Sequence, residues 1–380
     1  MYQQKTNINK KNKFLGSLLG SFVGDALGYI IKGSDSKLVK NYLKCIDSLQ
    51  VLEYGKAYNN RTKLYVPAYN KNINNNFIPF GQYTDNARII RETLITIFEN
   101  NGNFNYEHYT KKMINLGNYK FNQNFNDIDC NYYSINLKKF YDKINLGVSY
   151  KFSGIENKFT TESAVRSTIF GLLFSNNEQS LINVVSTQSM ITHLSSMCAA
   201  GSVAISVMVA LIYNNEKINA ETFLRKASMY VKNINCLFSQ YLLQLINMIK
   251  LPSETVYPLI RNINNPLWDK RDLKINDNVI TNVLWSIYCF FKYSDNFMYA
   301  LYEAISVGGD VHNVASMVGA MSGAHLGINV IPKQFMSRLN DKGKYNGEDI
   351  FKMGECIYNG MNKIKLNESQ EISTMMDISI

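Results

Sequence analysis

Three short polar clusters, far apart along the chain, hold the residue types best suited to chemistry: Gly24-Asp25-Ala26-Leu27-Gly28, Tyr83-Thr84-Asp85-Asn86 and Gly308-Gly309-Asp310-Val311-His312-Asn313. Each sits where a turn or helix start is expected. Carboxylate, hydroxyl and amide oxygens gathered from separate helix ends are hard donors that could converge on a divalent cation. The competing use is capping, because the same side chains satisfy the unpaired N–H groups of a first helical turn. Thr84 or Asp85 is placed to cap a helix carrying Ile89, Ile90, Leu94 and Ile97. Asp310 is placed to cap one continuing through Val314 and Met317, with Asn313 a turn later on the same face. Residue types and spacing leave both uses open.

The elements that would position these clusters read as helices. Phe14, Leu15, Leu18, Leu19, Phe22, Val23, Leu27 and Ile30 predict a helix over 13–31. Similar periodicity recurs near 86–99, 163–174, 180–194, 197–213, 220–231, 238–249, 279–291, 295–306 and 313–327. Strand-like alternation is scarce, and 59–76 reads as polar loop. The stretch 100–159 reads either as an elaborated loop or as a small helical insertion. An all-α fold follows, as a single domain over 13–364 with a basic tail at 1–12 and a C-terminal tail at 365–380. Two helices carry small residues every fourth position: Gly16, Gly20, Gly24 and Gly28 in one, Ala315, Gly319, Gly323 and Gly327 in the other. Glycine inside a helix costs about 1 kcal/mol relative to alanine, so such a stripe implies close approach of another backbone.

Composition narrows the function classes. With 380 residues, 46% of them hydrophobic, the chain can bury a core without staples. Its six cysteines, Cys45, Cys130, Cys198, Cys236, Cys289 and Cys356, have neither zinc-site nor disulfide spacing, and buried free thiols are expected. The apolar run 197–213 is shorter than the roughly 20 residues of a membrane span and carries Ser202 and Ser206, so it reads as a core helix. With a polar N-terminus that lacks signal-peptide character, this gives the expectation of a cytoplasmic protein without a membrane partner. The net charge of +10 is scattered rather than massed on one element, which tolerates anionic ligands without indicating nucleic acid.

The phrases GSLLGSFVGDALG, YTDN, Thr192-His193 and AISVGGDVHNVASMVGAMSGAHLGINVIP resemble, in order and spacing, the signature segments of the ADP-ribosylglycohydrolase family (dinitrogenase-reductase-activating glycohydrolase-like), over about 14–335. Ser163-Ala164-Val165-Arg166, with Gly171 following, is similar to that family's motif around a substrate-loop arginine. The resemblance implies a compact orthogonal helical bundle with two Mg2+ or Mn2+ ions in a central cleft. There the ions hold the ribose beside the scissile bond and water releases ADP-ribose from an acceptor side chain, through a transition state of oxocarbenium character. The partners it implies are ADP-ribose or ADP-ribosylated proteins.

Carried over position by position, the resemblance gives a depleted metal site. Thr84 and Asp85 match metal-run ligands, whereas Asn86 stands where a third ligand is acidic. Asp310 matches, but His312 replaces a second aspartate and Asn313 a hydroxyl residue. Lys32 stands where many members have an acid near the scissile bond, reversing the charge. Asp85 and Asp310 are then the catalytic candidates, and His193, Asp25, Lys32 and Arg166 the ligand-binding ones. Two carboxylates balance one divalent ion, so at most one tightly bound Mg2+ or Mn2+ is expected, with His312 shifting preference toward Mn2+ or Zn2+ or supplying positive charge itself. The function implied is hydrolysis of an N- or O-linked ADP-ribosyl bond at low activity. The alternatives are an ADP-ribose-binding pseudoenzyme and a crystallin-like structural protein on the same fold.

Overall fold

The computed structural model describes residues 8–47, 55–59, 64–68, 77–121, 135–156, 158–341, 345–361 and 365–366. Sixteen α-helices are found among them: α1 Lys10–Ile30, α2 Ser36–Asp47, α3 Asp85–Glu99, α4 Tyr106–Phe121, α5 Ile135–Asn145, α6 Glu162–Leu173, α7 Glu178–Thr192 and α8 Ser196–Asn214, followed by α9 Ala220–Val231, α10 Cys236–Met248, α11 Ser253–Asn264, α12 Val279–Lys292, α13 Phe297–Ser306, α14 Val311–Leu326, α15 Lys333–Met336 and α16 Gly347–Gly360. Strands are few and short. β1 Gly55–Asn59 pairs antiparallel with β2 Leu64–Ala68 and with β3 Phe77–Ile78. β4 Asn103–Phe104 pairs parallel with β7 Lys365–Leu366, and β5 Ile155–Glu156 with β6 His193–Leu194.

The all-α expectation holds, and the strong apolar periodicities all fall on helices. Three boundaries move. α1 begins at Lys10, where Asn9 caps it by accepting from Asn12 N–H, so part of the expected tail is helical. The expected loop 59–76 contains β2, while 60–63 and 69–76 lie outside the described residues. The ambiguous stretch 100–159 is largely α4 and α5, with 122–134 and 157 outside the described residues. Residues 1–7 of the N-terminal tail and 367–380 of the C-terminal one also lie outside them.

One continuous apolar cluster runs from Phe14 to Ile357. α8 lies deep within it: it is the one described helix long and apolar enough to cross a membrane, and 89% of its apolar window is buried inside the protein. Of the thiols, Cys198 and Cys289 are buried as expected, but Cys236 and Cys356 are exposed; Cys130 lies outside the described residues.

Close backbone packing of α1 against α14 explains the glycine stripes. α1 and α14 cross antiparallel, so that Gly16 faces Gly323, Gly20 faces Gly319, Gly24 faces Ala315 and Gly28 faces His312. A Cβ added at Gly24 would overlap the Ala315 carbonyl oxygen, and one at Gly319 would overlap that of Gly20. Between the stripes the Ser21 and Ser316 hydroxyls meet at 2.9 Å. This pairing sets the C-terminal end of α1 against the N-terminal end of α14, which brings the first and third polar clusters together.

Candidate functional site

Backbone hydrogen bonds lock the loops around that crossing. Gly33 N–H donates to Gly309 O at 2.8 Å and Gly309 N–H to Ser34 O at 2.9 Å. On the other side, Ile275 N–H donates to Gly308 O at 3.0 Å and Asp310 N–H to Ile275 O at 2.8 Å. The loop entering α14 is therefore clamped between the loop leaving α1 and the loop entering α12. Gly308 and Gly309 both have positive φ, 72° and 85°, a region that side-chain-bearing residues rarely adopt. The clamp sets Lys32, Asp310 and Asp277 near one another although they are distant in sequence. The start of α3 is pinned in turn by Tyr83 N–H to Asn340 O at 3.0 Å and by Arg88, which donates to the Asp341 carbonyl at 2.7 Å.

Within this frame most of the expected residues meet. Asp25, wholly buried on α1, accepts from Thr84 N–H at 2.6 Å and from the Thr84 hydroxyl at 2.9 Å. Burial pushes its carboxyl up to about 6, with His312 and the two Thr84 donors working against that rise. Thr84 caps α3 as expected, accepting from Asn86 N–H. The Asn86 amide donates to Asn313 Oδ1 at 2.9 Å, and the Asn313 amide donates to Asp310 Oδ2 at 3.3 Å. Asp85, 7% exposed, feels Asp25 and Lys32 electrostatically.

Asp310 occupies the capping position of α14, but its side chain does not cap, which corrects one of its two sequence readings. Its Oδ1 instead lies 3.0 Å from Lys32 Nζ and 3.1 Å from His312 Nδ1. Lys32 Nζ also lies 3.4 Å from His312 Nε2. Burial opposes ionisation of Asp310, but Lys32 foremost and then His312 outweigh it and hold the carboxyl well below the usual carboxylate range. Burial likewise opposes the charge on Lys32, and Asp310, then Asp277, lift its ammonium above the ordinary lysine value.

Beside this triangle lies a second network that includes two residues the sequence did not single out, Glu162 and Asp277. Glu162, 2% exposed at the start of α6, has Oε2 3.0 Å from His193 Nε2, which is also 2.8 Å from the Thr160 hydroxyl. His193 Nδ1 meets the Thr192 hydroxyl at 2.7 Å. The same hydroxyl accepts from Arg166, whose guanidinium also donates to the side chain of Gln188 at 2.9 Å. Burial lowers the His193 pKa, partly offset by Glu162. Asp277 accepts from Thr161 N–H at 2.9 Å. Burial, then Glu162 and Asp310, push its carboxyl well up, so it holds a proton more readily than an ordinary aspartate.

These placements divide the candidates. Asp25, Thr84, Asn86, Asn313, Asp310, His312 and Lys32 form one connected cluster, with Asp85 beside it. Arg166, 0% exposed, and His193, 1% exposed, belong to the second network; both His193 ring nitrogens meet protein groups, while Arg166 Nη1 is a buried donor without a hydrogen-bond partner. In this arrangement their hydrogen bonds tie the start of α6 to the end of α7. Glu162 had one usable signal, its position directly before the Ser163–Arg166 motif, and Asp277 had another, its position directly before Asn278, the cap of α12.

The donor set does not fit a divalent ion at Asp310. A Mg2+ about 2.1 Å from Oδ1 would lie within about 5 Å of Lys32 Nζ, given the 3.0 Å already separating that nitrogen from the oxygen. At an effective dielectric of about 20, a divalent and a unit charge at that distance repel by about 6–7 kcal/mol. Asn86 and Asn313, the amides at substituted ligand positions, are bonded to each other. Asn86 Oδ1 remains a buried acceptor without a hydrogen-bond partner, suited to a hydroxyl donor, but among the described residues no three His, Cys, Asp or Glu side chains converge to hold a metal.

The comparisons with known proteins agree with one another. The model of the ADP-ribosylglycohydrolase family matches residues 6–366. A solved structure described as an ADP-ribosylglycohydrolase-related protein complex superposes with a TM-score of 0.60 at 13% identity, covering 93% of this chain and 99% of that one, a likeness of fold alone. No curated protein matches the sequence.

Proposed function

The chain belongs to the ADP-ribosylglycohydrolase family, whose substrates are ADP-ribosylated molecules, and from that membership we propose that it binds ADP-ribose, free or protein-linked, with glycosidic hydrolysis weak or lost. The observation that carries this reading is the state of Asp310. As one of the two carboxylates retained in the metal runs, it is a leading candidate for positioning a water, and it is held in contact with Lys32 and His312. A carboxylate stabilised in its ionised form by two such neighbours is a poor general base, because the same contacts that keep it charged reduce its affinity for a proton. Groups suited to a ribose-bearing anion remain in the cluster: the unpartnered Asn86 acceptor oxygen and the partly exposed Lys32 ammonium.

Hydrolysis has one observation in its favour. Asp277, raised by burial and then by Glu162 and Asp310, is a carboxyl able to hold a proton beside the site, as a general acid must. The two readings part in one experiment: release of ADP-ribose from arginine-linked and serine-linked peptides with Mg2+, with Mn2+ and with chelator, run beside calorimetric titration with ADP-ribose. Binding without release is the expected result. Metal-dependent release that disappears in Asp310→Ala would overturn it in favour of a hydrolase.

A further inference from the structure

Resting on the ADP-ribose-binding reading, we propose that Lys32 is a fixed internal cation that takes the place of a divalent ion at Asp310, so that the cleft holds a ribose-bearing diphosphate ligand without Mg2+ or Mn2+. Three independent features point this way. The ammonium is 3.0 Å from Asp310 Oδ1 and 3.4 Å from His312 Nε2, within reach of the oxygen and the side chain a metal would otherwise engage. It is built into place, since the next residue, Gly33, donates its N–H to Gly309 O, and Gly309 N–H donates back to Ser34 O. This clamps the segment carrying Lys32 to the segment carrying Asp310. The surrounding groups are neutral amides rather than further carboxylates: Asn86 donates to Asn313, and Asn313 donates to Asp310, where charged ligands would repel in the absence of an ion.

The charges are consistent with this. Asp310 and Asp277 both act on Lys32, and Asp85 adds to them, so the ammonium answers several carboxylates at once, as a bound cation would. A lysine differs from Mg2+ in one respect that matters for chemistry: it cannot activate a water by direct coordination. The substitution therefore preserves attraction for an anionic, hydroxyl-rich ligand while removing the means of generating a nucleophile.

The test uses the full chain and two readouts. Free Mn2+ is followed by electron paramagnetic resonance during titration of the wild-type protein, Lys32→Glu and Lys32→Met. Wild type is expected to take up no Mn2+ at micromolar concentration. Lys32→Glu is expected to bind one ion at least about tenfold more tightly than wild type, because a repelling charge becomes an attracting one at the same place. Stoichiometric uptake by wild type would overturn the proposal, as would a folded Lys32→Glu chain that takes up none. Should Lys32→Glu fail to fold, Lys32→Met must show the same gain in smaller degree, and its absence counts against the proposal equally. Titration with ADP-ribose in chelator and in Mg2+ is the second readout: equal affinity supports the proposal and a large gain with Mg2+ overturns it. If ADP-ribose binds in neither condition the binding function fails, whereas the Mn2+ titration still decides the role of Lys32.

Discussion

Replacing Lys32 by methionine removes the ammonium and keeps most of the side-chain length. The partner carboxylate of Asp310 is then left with His312 and Asn313 alone. At 3.0 Å and an effective dielectric of about 20 the direct attraction lost is about 5–6 kcal/mol. Solvent reduces this, because the Lys32 side chain is 30% exposed and that of Asp310 13%. Exposed pairs contribute about 0–1 kcal/mol and removal of one partner from a buried pair costs about 3–5, so a net loss of about 2 kcal/mol is expected here. Asp310→Asn alone should cost a similar amount. The double variant should cost about 1–2 kcal/mol less than the sum of the two, because the interaction can be lost only once. Urea unfolding followed by the fluorescence of Trp285 and Trp268 at neutral pH measures all four corners of the cycle. Additive losses would show that the contact contributes nothing and would refute both the internal-cation proposal and the account of Asp310 as a spent carboxylate. The pH dependence has a definite sign. Asp310 has its folded pKa depressed, so its stabilisation is present above the unfolded value of about 3.9 and is lost only as pH falls below that toward the folded value; the coupling should persist at pH 5.

Asp25 should behave in the opposite sense. Its folded pKa, pushed up to about 6 from an ordinary 3.8, makes the ionised form unfavourable in the folded protein, so stability should fall by about 3 kcal/mol as pH rises from about 3 to about 7. Asp25→Asn should flatten that slope, and an unchanged pH profile of the urea midpoint would refute the assignment. Gly319→Val places a side chain where the Gly20 carbonyl lies, so it should destabilise the protein by about 3 kcal/mol through separation of α1 from α14; an unaltered midpoint would contradict the close crossing. Glu162→Gln removes a charge that raises both of its neighbours, so the Asp277 carboxyl should titrate at lower pH and His193 should be harder to protonate. Carbon and nitrogen chemical shifts of the two side chains followed against pH measure both, and shifts that do not move would separate Glu162 from the site.

The helices were legible because burial at 3.6-residue spacing leaves a direct imprint on residue type, as in Phe14, Leu18 and Phe22 along α1. The glycine stripes announced a close approach of another backbone, and the structure shows that each is the other's partner. What sequence concealed was the use made of individual charges. Asp310 looked like a helix cap because capping depends on local spacing, whereas its actual partners arrive through backbone bonds between Gly33, Ser34, Gly309 and Ile275, and nothing in those residue types announces such pairing. Glu162 and Asp277 looked like any acid before a helix, since exposure rather than identity distinguishes a solvated carboxylate from one that perturbs a site. Arg166 and His193 stood at motif positions, and nothing in the sequence marked Gln188, Thr192, Thr160 and Glu162 as their partners. Counting ligands along the chain therefore balanced Asp85 and Asp310 against one divalent ion and noted the reversed charge at Lys32 without the contact it makes to Asp310. Once the loops fold together, Asp310, Asp277 and Asp85 act on a single ammonium, and Lys32, together with the raised affinity of Asp277 for a proton, offsets part of the negative charge that a metal would otherwise have to neutralise.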